Sequence, residues 1–130
     1  MLKIGDSLEI KETVDETMLA VTMGSGELAV LATPSVVALM ENAASTLLKS
    51  GLDDGITSVG SEINIEHISP TPVGARVRAK ATLTEISGRV FKFSVEAYDN
   101  KGLIARGSHT RVSVNADKFQ LKADEKFNEI

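Results

Sequence analysis

The sequence contains no cysteine. That absence excludes disulfides, thiolate metal sites and cysteine nucleophiles, and it fits a reducing compartment. No apolar run approaches the ~20 residues that a membrane helix needs. The opening residues Met1-Leu2-Lys3-Ile4-Gly5-Asp6 turn polar too soon for a signal peptide. An excess of basic charge is missing too. The net charge is -4, which opposes the basic field that nucleic-acid binding requires. Two distant histidines and scattered carboxylates lack metal-ligand spacing, so neither metal nor cofactor is expected. Repeats, low-complexity tracts and linkers are likewise absent. Together these absences lead us to expect a soluble, cytoplasmic protein with no nucleic-acid or membrane partner.

What remains is an ordinary globular chain of 130 residues, 42% hydrophobic and 25% charged, read as one domain over residues 1–130. The apolar pattern changes period along it. Ser7 to Val14 alternates weakly, Met18 to Met23 reads as a second strand ended by Gly24-Ser25-Gly26, and Leu28 to Leu31 is short and apolar. Thr33-Pro34 then opens a long helix, with Thr33 as N-cap and Pro34 at the first helical position. Its apolar residues run from Val36 to Leu48, and Lys49 and Gly51 end it. At 1.5 Å per residue it is roughly 25 Å long. Apolar residues cover most of its circumference, so heavy burial is expected, part of it by a second subunit.

Beyond the helix the period is two. Ile56–Ser69, Ala75–Ser87, Arg89–Asn100 and Leu103–Asn115 read as four long strands separated by turn signals. The polar stretch from Asn115 to Ile130 reads as a short helix or a tail. One apolar helix and a set of antiparallel strands give an α+β layout, with the sheet wrapped around the helix.

Three polar groups interrupt this pattern. Glu41 lies on the helix among Val37, Ala38, Ala44 and Leu48. On that stripe a carboxylate is partly desolvated, which raises its pKa toward the range useful in acid–base chemistry. On a polar strip with Asn42 and Ser45 it simply faces water. His67, counted by twos, shares a strand face with Val59, Ser61, Ile63 and Ile65. That face points to the helix, so the imidazole is either a satisfied core histidine or a proton carrier. His109, beside Ala105 and Gly107, is given no role. Thr33 is a helix cap, and after Pro34 the N–H groups of Ser35 and Val36 are expected to project unpaired, as donors for a carbonyl oxygen gaining charge.

The segments Val30-Leu-Ala-Thr-Pro34, Leu39-Met-Glu-Asn-Ala-Ala44, Val59-Gly60 and His67 together resemble the fluoroacetyl-CoA thioesterase-like family of hotdog proteins. The resemblance runs over most of the chain and implies a hotdog fold, usually paired into a homodimer or a higher homo-oligomer. It implies hydrolysis of an acyl-CoA, with the family's catalytic threonine, glutamate and histidine falling on Thr33, Glu41 and His67. The substrate-contacting glycine falls on Gly60. The fluoroacetyl-specific enzyme carries a phenylalanine lid ahead of the threonine. Met18 to Ala32 contains no aromatic residue, so a different short or medium acyl group is expected.

Eight residues of helix separate Thr33 from Glu41 by roughly 12 Å of rise and about 80° of turn. The two side chains of one chain are therefore not expected to touch. Either the substrate bridges them or two subunits share the site, and we expect the dimer interface. Competing readings are a hotdog hydratase or dehydratase, whose neighbouring Asp and His are not found here, and a non-catalytic acyl-CoA binding module. Arg76, Arg78, Lys80, Arg89 and Arg111 read as solvated strand charges.

Overall fold

The computed structural model describes residues 1–128. Strands β1 (Ser7–Thr13), β2 (Ile56–His67), β3 (Arg76–Ser87), β4 (Val90–Asp99) and β5 (Gly102–Asn115) form one antiparallel sheet in the order β1-β3-β4-β5-β2. Helices α1 (Ala20–Met23), α2 (Thr33–Lys49) and α3 (Ala116–Asp124) accompany it. The period-two segments are strands because alternation gives the sheet one apolar face. Val77, Ala79, Ala81 and Leu83 of β3 and Phe91, Phe93, Val95 and Ala97 of β4 are all buried. The small alanines leave room for α2, which packs against all five strands.

A single chain is enough to cover α2. Val36, Leu39, Met40, Ala43, Ala44, Leu47 and Leu48 are buried without a second subunit. The chain's own sheet therefore covers most of the apolar surface of this helix. The exposed stripe is Pro34, Ala38, Asn42 and Thr46, with Val37, Glu41 and Ser45 half-buried beside it.

Two local readings also change, and one left open is decided. Met18 to Met23 is not a strand. Asp15 accepts the Thr17 N–H at 2.9 Å and starts a 3₁₀ turn over Glu16–Met18, and α1 follows, ended by Gly24 at φ 75°. Thr33 is not the N-cap either. Ala32 holds that position without a side-chain bond, and Thr33 and Pro34 open the helix proper. The polar C-terminal stretch is helical over α3, whose first turn is capped by the Asn115 side chain accepting the Lys118 N–H at 3.0 Å.

A bulge in β2 matters for everything that follows. Gly60 pairs with Arg111 and Glu62 with Thr110, leaving Ser61 as an extra residue. The strand face flips there. Ser58 and Gly60 look toward α2 before the bulge, and Ile63, Ile65 and His67 do so after it. His67 therefore does not share a face with Val59 and Ser61, because strict counting by twos fails across an inserted residue.

Candidate active site

Thr33 and His67 meet where α2 begins and β2 ends, with Oγ1 and Nδ1 2.8 Å apart. This contact explains why the threonine does not cap its own helix. Burial lowers the His67 pKa below the ordinary histidine value, with the Ser69 backbone opposing. The ring is therefore neutral at pH 7 and able to take a proton. Its Nε2 is buried and has no hydrogen-bond partner among the described residues. An orphaned buried nitrogen is rare in folded proteins. The His67 residue helps line a cavity of about 310 Å³, mainly with Ala20, Val30, Leu31, Thr33 and Ile68.

The helix start differs from the sequence expectation. The Ser35 and Val36 N–H groups are not free, because both donate to the Ala32 carbonyl, at 3.0 and 3.1 Å. Ala32 occupies the cap position, so its carbonyl points into the first turn and takes both donors. The Ser35 hydroxyl donates to the Met18 carbonyl at 2.9 Å. Neither residue offers an oxyanion donor. The backbone donor left at this end of α2 is the Thr33 N–H, which has no partner among the described residues.

Glu41 sits in a second cavity. Its side chain is 41% exposed, and Oε2 lies 3.7 Å from Nη1 of Arg111. Gly60 is what admits it: a Cβ at that position would lie 2.6 Å from Glu41 Oε2. This cavity, about 240 Å³, is lined by Glu41, Gly60, Ser61, Glu62, Ile63 and His109, and no residue lines both cavities. The imidazole beside Glu41 is thus His109 and not His67.

Sequence reasoning missed two residues here. Arg111 is buried and makes three hydrogen bonds. Its Nε donates to Ser58 Oγ at 2.9 Å, Nη2 to the Ser58 carbonyl at 3.0 Å, and Nη1 toward His109 Nε2 at 3.2 Å. His109 Nδ1 in turn donates to the Glu62 carbonyl at 2.8 Å. These bonds fix a neutral ring with its proton on Nδ1. Burial lowers the His109 pKa, with the Glu62 backbone opposing, Arg111 reinforcing and Glu41 opposing. Burial likewise pulls Arg111 downward, and the Glu41 carboxylate opposes. An arginine still carries its charge at neutral pH. The signal was present in β5: counting by twos from Ala105 puts His109 and Arg111 on the core face, which solvated charges do not occupy.

The arrangement offers a neutral base, a hydroxyl, a free backbone N–H and an arginine-held carboxylate. They lie in two separate cavities. Among the described residues no group of three His, Asp or Glu side chains is close enough to hold a metal ion. No helix among them is long and apolar enough to cross a membrane.

Comparison with known proteins agrees with this chemistry. A family model described as fluoroacetyl-CoA-specific thioesterase matches residues 14–117. The chain is 34% identical over 97 residues to a fluoroacetyl-CoA thioesterase of Streptantibioticus cattleyicolor, covering 75% of this chain and 70% of that one. A solved structure of a fluoroacetyl-CoA thioesterase superposes with a TM-score of 0.90 at 29% identity, covering 97% and 98% of the two chains. A thioesterase superfamily member of Thermus thermophilus gives 0.89 at 25% identity, covering 98% and 97%. The α+β architecture is the hotdog fold expected from the sequence.

Proposed function

The chain belongs to the fluoroacetyl-CoA-specific thioesterase family and hydrolyses acyl-CoA thioesters, and from that premise we propose a reactive centre built from two copies, with Thr33 and His67 of one protomer facing Glu41 of its partner. One observation carries this reading. Within a single chain the Thr33–His67 pair and Glu41 open into cavities that share no residue. The edge strand β2 supports it as well, since its outer row of backbone groups is available for a second copy.

In this centre the thioester carbonyl lies between the two halves. The Thr33 hydroxyl and N–H donate to its oxygen, and Gly60 lets the carboxylate approach from the other side. Glu41 takes a proton from water as the water oxygen bonds to the carbonyl carbon. The tetrahedral intermediate then collapses, the C–S bond breaks, and the proton returns to the CoA sulfur. His67, neutral beforehand, holds the Thr33 hydroxyl and relays the proton through its ring. The products are a free acid and CoA. The substrate is a short or medium acyl-CoA other than fluoroacetyl-CoA, because the segment ahead of Thr33 has no aromatic side chain.

Mixed dimers test the assembly directly. Glu41→Gln and His67→Ala are each expected to be nearly inactive alone. Unfolded together and refolded, about half the dimers are mixed, each with one intact centre, so about a quarter of wild-type turnover returns. A centre contained within one chain would recover nothing.

A further inference from the structure

Thr33 and His67 lie 34 residues apart in the chain, yet both are tied to one place, the turn end of the β4–β5 hairpin. On the His67 side the tie is backbone only. The bulge between Ala97 and Tyr98 leaves Ile104 as an extra residue. Its carbonyl accepts the Ile68 and Ser69 N–H groups at 2.7 and 3.3 Å. On the Thr33 side the tie runs through a side chain. The Leu31 N–H donates to the Thr71 carbonyl at 2.8 Å, and the Thr71 hydroxyl donates to Asp99 Oδ2 at 2.9 Å. Asp99 closes the hairpin at the same time, because its Oδ1 accepts the Lys101 N–H at 2.8 Å.

Thr71 is 0% exposed. Packing alone does not call for a hydroxyl there, since a buried one costs free energy unless it is bonded. Its acceptor is a carboxylate, which makes the bond strong and directional. What the bond fixes is the position of the Thr71 carbonyl, and through it the last residues before α2. Leu31 is two residues from Thr33, roughly 7 Å of chain at full extension. Leu31 and Ala32 are themselves buried, so a displacement at Thr71 reaches Thr33 with little to absorb it. The separation at stake is the 2.8 Å between Thr33 Oγ1 and His67 Nδ1. A shift of about 1 Å is enough to break such a bond.

Resting on the reading of Thr33 and His67 as part of the reactive centre, we infer that Thr71 and Asp99 are positioning residues for the hydrolysis. They line neither cavity of that centre. They act by setting where Thr33 stands against His67.

The test uses the full-length protein. Thr71→Val removes the hydroxyl and keeps the shape, Thr71→Ser keeps the hydroxyl, and Asp99→Ala removes the acceptor. Thr71→Val and Asp99→Ala are expected to lower kcat about tenfold with KM within about twofold. Thr71→Ser is expected to stay within about threefold of the wild type. Two further readouts separate positioning from general damage. The chain has two histidines, so 15N NMR follows each imidazole. In Thr71→Val the His67 signals should move toward those of Thr33→Ala, while His109, in the other cavity, keeps its wild-type signals. In a double-mutant cycle, Thr71→Val should cost at most about threefold more in a Thr33→Ala background. Unmoved His67 signals in Thr71→Val overturn the inference, as does a Thr71→Ser protein as slow as Thr71→Val. A second full loss in the slowed Thr33→Ala background overturns it too and leaves the role of Thr33 standing. Thr33→Ala turning over at the wild-type rate overturns the underlying reading, and the inference with it.

Discussion

The end of β2 and the middle of β5 each present an imidazole next to a candidate catalytic group, yet the two places are built on opposite plans. At Thr33 and His67 there is one hydrogen bond, an apolar cavity and a ring nitrogen with no partner. At Glu41 the neighbouring groups are bonded to one another and to the backbone: Arg111 uses its fork on Ser58 and His109, and His109 uses both ring nitrogens. An unfinished hydrogen-bond set is costly inside a protein and so reads as a place for substrate. A finished set holds something still, here the Arg111 guanidinium, whose Nη1 stands 3.7 Å from the Glu41 carboxylate. Identical side chains thus take different roles according to what their surroundings leave undone.

The sharpest way to break the contrast is to spoil the held side. Glu41→Gln keeps the size of the side chain but removes its charge and cannot take a proton. Turnover should fall about 10³-fold or more while far-UV CD and oligomeric state stay as in the wild type. A variant within tenfold of wild type would remove Glu41 from the chemistry. The unfinished side comes next. His67→Ala is expected to cost about 10²-fold in kcat/KM. Its pH profile carries the finer information. The base must be neutral, and burial lowers its pKa, so activity should fall on acidification with a midpoint below the ordinary value of 6.5. That limb should vanish in His67→Ala. If the variant keeps the same limb, the proton is carried by another group.

Gly60→Ala disturbs the held side more gently. The added methyl collides with the end of the Glu41 side chain and not with backbone, so the carboxylate moves and the fold remains. A loss of about tenfold in kcat is expected, with little change in melting temperature. Unchanged kcat would mean that the Glu41 position is not critical.

Much of this was legible in the sequence, and the failures have physical causes. Period two located β2 to β5, and the apolar run from Val36 to Leu48 located α2, because burial on one face is written directly into composition. The three-residue set Thr33, Glu41 and His67 came from a resemblance, but its division into two cavities did not, since spacing along a chain says nothing about which groups share a wall. Val59 and Ser61 were wrongly placed on the helix-facing side with His67, because the bulge at Ser61 leaves no mark in a pattern of polar and apolar residues. The helix start was misread because the carbonyl that takes the Ser35 and Val36 donors belongs to Ala32, which has no side-chain signal. His109 and Arg111 were set aside because polar side chains on a core face look like noise until their partners, Ser58 and the Glu62 carbonyl, are brought alongside.

The smallest expected effect separates the finished network from chemistry altogether, because it concerns stability. His109 is 2% exposed, and burial is the main reason its pKa is lowered in the folded chain. Below the ordinary value of 6.5, the unfolded chain binds a proton at this residue and the folded chain does not. Stability therefore falls as pH drops from that value toward the folded pKa, with a slope of at most about 1.4 kcal/mol per pH unit from one proton. His67 titrates in the same direction, so the wild-type protein should lose stability to both. His109→Gln removes one titrating group, and its amide can still donate to the Glu62 carbonyl and accept from Arg111. Urea unfolding at pH 7.5 and at pH 5.5 should show a smaller acid loss in His109→Gln than in the wild type. Parallel losses in the two proteins would mean that folding does not shift the proton equilibrium of His109, and Arg111 Nη1 would then not donate to His109 Nε2.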